Sequence, residues 1–223
     1  MKPLPRQLAL DLAQPLRPTL DNFVVGRNAE AVAALRGAAT GGGERFIYLW
    51  GQHGCGRTHL LRALQAAGAG LGLHENGFPP EFDPACRLYL IDDVDRLDEA
   101  RQQRLFVLQN EVRAARAAVL VAAGSAPPAQ LALREDVRTR LGWGLVYQLQ
   151  LLSDDDKHDA LQAHAAARGL SLPPEITAFL LTHLPRDLRT QVSALEALDA
   201  HALALRRTLT LPLVRDWLQA GQS

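Results

Sequence analysis

The sequence predicts a three-layer α/β sandwich around a parallel sheet, with a small all-helical domain behind it. Three observations carry this. Short apolar runs at 45–50, 87–93, 117–123 and 145–151 alternate with segments of helical periodicity, the pattern of strands buried on both faces. The first run leads through a glycine-rich octapeptide, Gly51 to Thr58, into a helix. At Ser153 the pattern changes to an acidic, cap-like start followed only by helical segments. We therefore expect an extended tail at 1–18, an α/β domain at 19–152 and a helical domain at 153–223.

Composition sets the outer limits. At 223 residues the chain can hold an α/β domain plus a small helical one, and 48% apolar with 22% charged residues gives a globular core. Lys+Arg and Asp+Glu balance at 24 each, which argues against binding DNA or an anionic membrane by bulk charge and leaves a local basic patch open. Two cysteines, Cys55 and Cys86, lie in core-like elements and point to a reducing compartment. No apolar run approaches the roughly 18 residues of a membrane span, and the N-terminus lacks a signal-peptide core, so a cytoplasmic protein without membrane contact is expected.

Pro3, Pro5, Pro15 and Pro18 disfavour a helix in the tail. Within it, Gln7-Leu8-Ala9-Leu10-Asp11-Leu12 puts its leucines on one side of an extended chain. It reads either as an edge strand or as a linear peptide for a partner's apolar pocket. A helix is expected at Ala29–Ala39, closed by Thr40-Gly41-Gly42-Gly43, and the first central strand at Arg45–Trp50. In the octapeptide, Gly51, Gly54 and Gly56 let backbone N–H groups curl around a phosphate, and the next helix offers its positive end. Thr58 stands where a hydroxyl holds Mg²⁺. Arg57 replaces the usual lysine, keeping the charge but bringing a planar fork, which puts hydrolytic competence in question. The helix is expected to reach Ala67. Residues 68–85, with four glycines and three prolines, offer only a possible short strand at Leu71–His74.

Arg87 to Asp93 reads as a buried strand ending in two carboxylates. Asp92 is the candidate on the metal side and Asp93 the candidate for orienting a water, although the pair also reads as a capped strand-to-helix turn. A helix over Asp95–Ala115 and a strand at Ala117–Ala123 follow, ending at Gly124-Ser125. Ser125 is placed either to sense a γ-phosphate or a water, or to cap the turn; with no G-x-S-x-G elbow it is not a hydrolase nucleophile. A short basic helix at Leu133–Arg140 ends in Arg140, which is spare surface charge or a cation for a neighbour's phosphate site. After a strand at Leu145–Leu151, helices are expected near 154–168, 174–183, 187–205 and 211–220, with Arg189 opening the third. The histidines form no ligand motif, so no transition-metal site is expected.

Strand, loop, paired aspartates, strand-end serine, Thr139-Arg140-Leu141-Gly142-Trp143-Gly144 and a helical lid, in this order, resemble the AAA+ ATPases. Thr19-Leu20-Asp21-Asn22-Phe23-Val24-Val25-Gly26 and Ser153-Asp154-Asp155-Asp156-Lys157 make the likeness closer to DnaA initiators, over residues 19–220. Gln7–Leu12, similar to a sliding-clamp peptide, and Arg57 bring it to the Hda-type DnaA homologues. The resemblance implies bound ADP or ATP with Mg²⁺. Its contacts would be Phe23, Val24, Gly51, Gly54, Cys55, Gly56, Arg57, Thr58, His59, Asp92, Ser125 and Arg189, with Thr58 and Asp92 on the metal side. Asp93 would be the water carboxylate and Arg140 an arginine finger acting in trans on the ATP site of DnaA, preventing re-initiation. Gln7, Leu8, Leu10 and Leu12 would bind the DNA polymerase III sliding clamp (beta subunit), reaching DNA indirectly. The chain's own ATPase would be weak or absent, and a homo-oligomer is compatible.

Three points depart from the family pattern. Asp11 stands where the peptide more often has proline, 68–85 looks short enough to reduce or lose a strand, and Cys55 has no assigned role. The sequence ends at Ser223, directly after the lid, so no helix-turn-helix for origin DNA is expected. Two other readings stay open. A helicase-loader-like active ATPase is favoured by Thr58, Asp92 and Asp93 and opposed by Arg57. A nucleotide-gated DNA-binding protein would use Arg134, Arg138 and Arg140 and is opposed by the zero net charge.

Overall fold

A computed structural model describes residues 17–67, 70–71, 81–185 and 187–220, so the Gln7–Leu12 peptide and most of 68–80 lie outside the described residues. The chain divides into two compact units, one of them Arg17–Leu151 and the other carrying the segment from Leu152 onward.

The first unit runs α1 (Ala29–Ala39), β1 (Phe46–Trp50), α2 (Arg57–Ala66), β2 (Gly70–Leu71), β3 (Leu88–Ile91), α3 (Glu99–Ala114), β4 (Val119–Gly124), α4 (Glu135–Leu141) and β5 (Leu145–Gln148). The sheet order is β2-β3-β4-β1-β5, with every pairing parallel and Tyr48 opposite Ala122 on one side and Val146 on the other. Alternation along β1 sends Phe46 and Tyr48 to one face, with Leu105, Leu108, Val112 and Val137, and Ile47 and Leu49 to the other, with Leu35, Leu60, Leu61 and Leu64. Two helical layers thus cover one sheet, as expected. Because the strands are parallel, Gly51, Asp92 and Ser125 all leave the sheet at its carboxyl edge, where open α/β sheets bind ligands.

Several bounds differ from the expected ones for identifiable reasons. The apolar runs overshoot the strands. β5 stops at Gln148, yet Leu149 beyond it is only 2% exposed, because the following loop is also packed into the core. The helix expected from Asp95 begins at Glu99, after a 3-10 turn at Val94–Arg96. Asp98, not Asp95, is its cap, accepting the Arg101 N–H at 2.9 Å. The basic helix is Glu135–Leu141, shifted from the expected Leu133–Arg140 because Leu133 packs into the core ahead of it. The reduced strand does exist: β2 pairs Gly70 and Leu71 with Leu88 and Tyr89 at the sheet edge.

Two side chains lock distant segments. Asn28, 4% exposed, donates to the Gln150 carbonyl at 3.1 Å and accepts the Gln150 N–H at 2.8 Å, tying the start of α1 to the end of β5. The Arg45 guanidinium donates to the carbonyls of Val112, Arg113 and Ala115 at 3.2–3.3 Å, closing the C-terminal end of α3.

The second unit is built from α5 (Asp154–Ala167), α6 (Pro174–His183), α7 (Leu188–Leu205) and α8 (Leu211–Ala220). Ser153 forms a capping box, its hydroxyl accepting the Asp156 N–H at 3.0 Å while the Asp156 carboxylate accepts the Ser153 N–H at 2.9 Å. Asp187 caps α7 through the Thr190 N–H at 2.8 Å. Leu161, Ile176, Leu180, Leu195, Leu198 and Val214 form its core. Among the described residues, no helix is long and apolar enough to cross a membrane.

Candidate functional site

The glycine loop is held in a shape that side chains would spoil. Gly54 and Gly56 have φ of +87° and +100°, in the left-handed region. A Cβ on Gly56 would lie 2.5 Å from the Phe23 ring, and one on Gly51 would lie 2.5 Å from the Leu149 carbonyl oxygen. Gly56 is the N-cap of α2 and offers no side-chain cap, and the first turn carries no acidic residue. The positive helix end is therefore left for an external anion. Arg57 adds a second sign of the same chemistry: its Nη1 is buried with no hydrogen-bond partner. A phosphate-bearing ligand fits these residues.

The residues expected on the metal side also meet. Thr58 Oγ1 donates to Asp92 Oδ2 at 2.7 Å, and Asp92 Oδ1 accepts the Asp93 N–H at 2.9 Å. Asp93 itself has φ of +47° and its carboxylate lies 3.5 Å from the Arg96 guanidinium. At the end of β4, the Ser125 N–H donates to Asp95 Oδ1 at 3.0 Å. Beneath it the Tyr48 hydroxyl donates to the Ala126 carbonyl at 2.8 Å. Burial, reinforced by the Asp95 carboxylate, pushes the Tyr48 phenol well above its ordinary pKa, so it stays a neutral donor. Among the described residues, no three His, Cys, Asp or Glu side chains cluster to hold a metal. A nucleotide-borne Mg²⁺ needs no such cage, since Thr58, Asp92 through water, and the phosphates can supply its ligands.

Residues 19–25 fold against the first turn of α2. The His59 ring nitrogen Nε2 lies 3.1 Å from the Thr19 carbonyl, and the Phe23 and His59 rings are 5.4 Å apart. Thr19 and Asn22 bond reciprocally at 2.8 and 3.0 Å, stiffening this turn, and Val24 is half-buried beside Phe23. Burial lowers the His59 pKa. Cys55, only 5% exposed, sits where a Gly51 side chain would go, so its place in the loop is a packing one, and burial pushes its thiol up.

Arg140 lies elsewhere, at the end of α4. Its Nε donates to Asn110 Oδ1 at 3.1 Å and its Nη1 to the Asp136 carbonyl at 2.9 Å. The guanidinium lies 4.1 Å from the Phe106 ring centre and 5.0 Å from that of Trp143. The sequence reading missed Phe106, Asn110 and Trp143 as its neighbours. Phe106 and Asn110 share an i,i+4 face of α3, but nothing in the sequence tells which arginine that face meets. Of the other arginines considered for a basic face, Arg134 pairs with Asp136 at 2.7 Å and Arg138 donates to the Ala129 carbonyl at 3.3 Å. Arg189 is exposed in the first turn of α7.

Known proteins fit this description. Residues 154–218 match the family model of the Hda lid domain. The structure is similar to domain III of the Thermotoga maritima replication initiation protein DnaA, at 21% identity over 98% of each chain with a TM-score of 0.73. AMPPCP-bound DnaA from Aquifex aeolicus matches at 20% identity over 83% of this chain and 67% of that one, TM-score 0.65. The Thermotoga maritima RuvB branch migration motor matches at 15% identity over 93% and 73%, TM-score 0.67. The fold is the one that these DnaA and RuvB structures share. The helical segment is similar to the lid domain of Hda, and the chain as a whole is similar in fold to domain III of DnaA.

Proposed function

We propose that this chain is a DnaA-related replication regulator that binds an adenine nucleotide, ADP in its working state, with Mg²⁺ in the Gly51–Thr58 loop. Tethered through Gln7–Leu12 to the DNA-loaded sliding clamp in the cytoplasm, it stimulates ATP hydrolysis by DnaA with Arg140 in trans. The observation that carries the activator reading is the state of Arg140. Its guanidinium is held by two of its N–H donors, engaged on Asn110 and Asp136. Of the roughly five donors of a guanidinium, the others are left for phosphate oxygens. A cation fixed on developing γ-phosphate charge accelerates hydrolysis without needing turnover in its own chain. Phe23, Val24, Cys55, His59 and Ser125 would border the nucleotide in this reading, and Arg189 of the helical unit is the sensor arginine that the resemblance implies. When bound, Mg²⁺ would supply charge neutralisation to the phosphates, and Thr58 and Asp92 would hold it.

The test is ATP hydrolysis by purified DnaA with this protein, clamp and duplex DNA. Turnover should rise only in the full mixture. Arg140→Ala and Gln7→Ala should each remove at least about tenfold of the rise. The contact between Thr58 and Asp92 favours a second reading, a loader-like ATPase. Hydrolysis by this chain alone, indifferent to clamp and DnaA, would establish that one instead.

A further inference from the structure

We propose that Trp143 is a positioning residue for Arg140, an inference that rests on the finger reading above. The turn after α4 ties the two together: the Trp143 N–H donates to the Arg140 carbonyl at 3.2 Å. Just beyond, Gly144 lies so close to the Phe46 carbonyl that any side chain there would collide with it, so the chain's path past the indole is fixed. The indole stands edge-on to Phe46, 5.4 Å away at 85°, and Phe46 belongs to the core cluster under α3 and α4. The ring is thus anchored from the core side and presents itself to the Arg140 guanidinium at 5.0 Å. Phe106 approaches the same guanidinium from α3 at 4.1 Å. Arg113, which has no carboxylate partner among the described residues, lies 4.4 Å from the same indole.

An arginine on a solvent-facing helix end normally samples many rotamers, and docking on a partner would have to suppress them. Here the two rings, Asn110 and the Asp136 carbonyl have already done so in the isolated chain. Trp143 therefore acts through Arg140, on the stimulated rate rather than on complex formation.

The experiment titrates DnaA against full-length variants at saturating clamp–DNA and separates maximal stimulated rate from the half-saturating concentration. Trp143→Leu should lower the maximum roughly five- to tenfold, the worth of a lost cation–π contact at a partly buried site. The half-saturating concentration should stay within about twofold. Trp143→Phe, which keeps a ring, should restore most of the rate. A full rate in Trp143→Leu, a loss confined to half-saturation, or no recovery in Trp143→Phe would overturn the inference. If Trp143→Leu melts too low to assay, Phe106→Leu removes the other ring and should show the same drop; a full rate there also overturns it. Arg140→Ala separates the two levels. Full stimulation by Arg140→Ala defeats the finger reading itself, whereas its loss beside an unimpaired Trp143→Leu defeats only the role of Trp143.

Discussion

Gln109 shows how much one side chain can cost when the fold encloses it. It lies in α3, 0% exposed, and neither its amide nitrogen nor its oxygen has a partner. Burying an unpaired amide costs about 1–3 kcal/mol, and an apolar residue of similar volume escapes that cost. Gln109→Leu should therefore raise stability by about 1 kcal/mol, or roughly 2–4 °C in the melting temperature. A lower melting temperature would mean that the amide finds a partner. Arg57 presents the same feature with the opposite reading. Its orphaned Nη1 belongs to the residue that opens an uncapped helix after a glycine turn, so a ligand, not a mutation, is the natural remedy.

At the scale of elements, ends matter more than interiors. α3 starts where Asp98 can cap it and stops where Arg45 covers its last carbonyls. α5 starts at a complete capping box, with the Lys157 ammonium 2.9 Å from Asp154 in the same turn. Ser153→Ala removes one half of that box and should cost about 1 kcal/mol of local stability. Hydrogen exchange would read this as faster exchange at Asp155 and Asp156 with the interior of α7 unchanged. Equal protection in mutant and wild type would show that the box is redundant with the packing of Leu161 and Ala165.

For the whole molecule, nucleotide binding should appear as stability, because a ligand that binds only the folded chain stabilises it by mass action. Mg²⁺-ADP at a hundred times its dissociation constant should add about 2.7 kcal/mol. Gly56→Ala should abolish the shift, since a Cβ there meets Phe23 at 2.5 Å and φ is +100°. A shift that survives Gly56→Ala would move the nucleotide away from this loop.

The sequence by itself determined the layer architecture, the glycine-rich turn after β1, the Asp92–Asp93 strand end and the C-terminal helices. All of these depend on local signals: apolar periodicity, glycines that need positive φ, and caps placed three residues from the groups they bind. It missed where α3 begins, because Asp95 and Asp98 are equally good caps on paper and only the Ser125 N–H, some thirty residues away, claims Asp95. It named Arg140 but not the rings and amide around it: Phe106 and Asn110 reach it only when α3 and α4 pack on one face of the sheet, while Trp143, three residues on, meets it through the turn after α4. Contacts between residues thirty or more positions apart carry no periodic signature. Tertiary structure alone decided which groups of α3 this arginine meets.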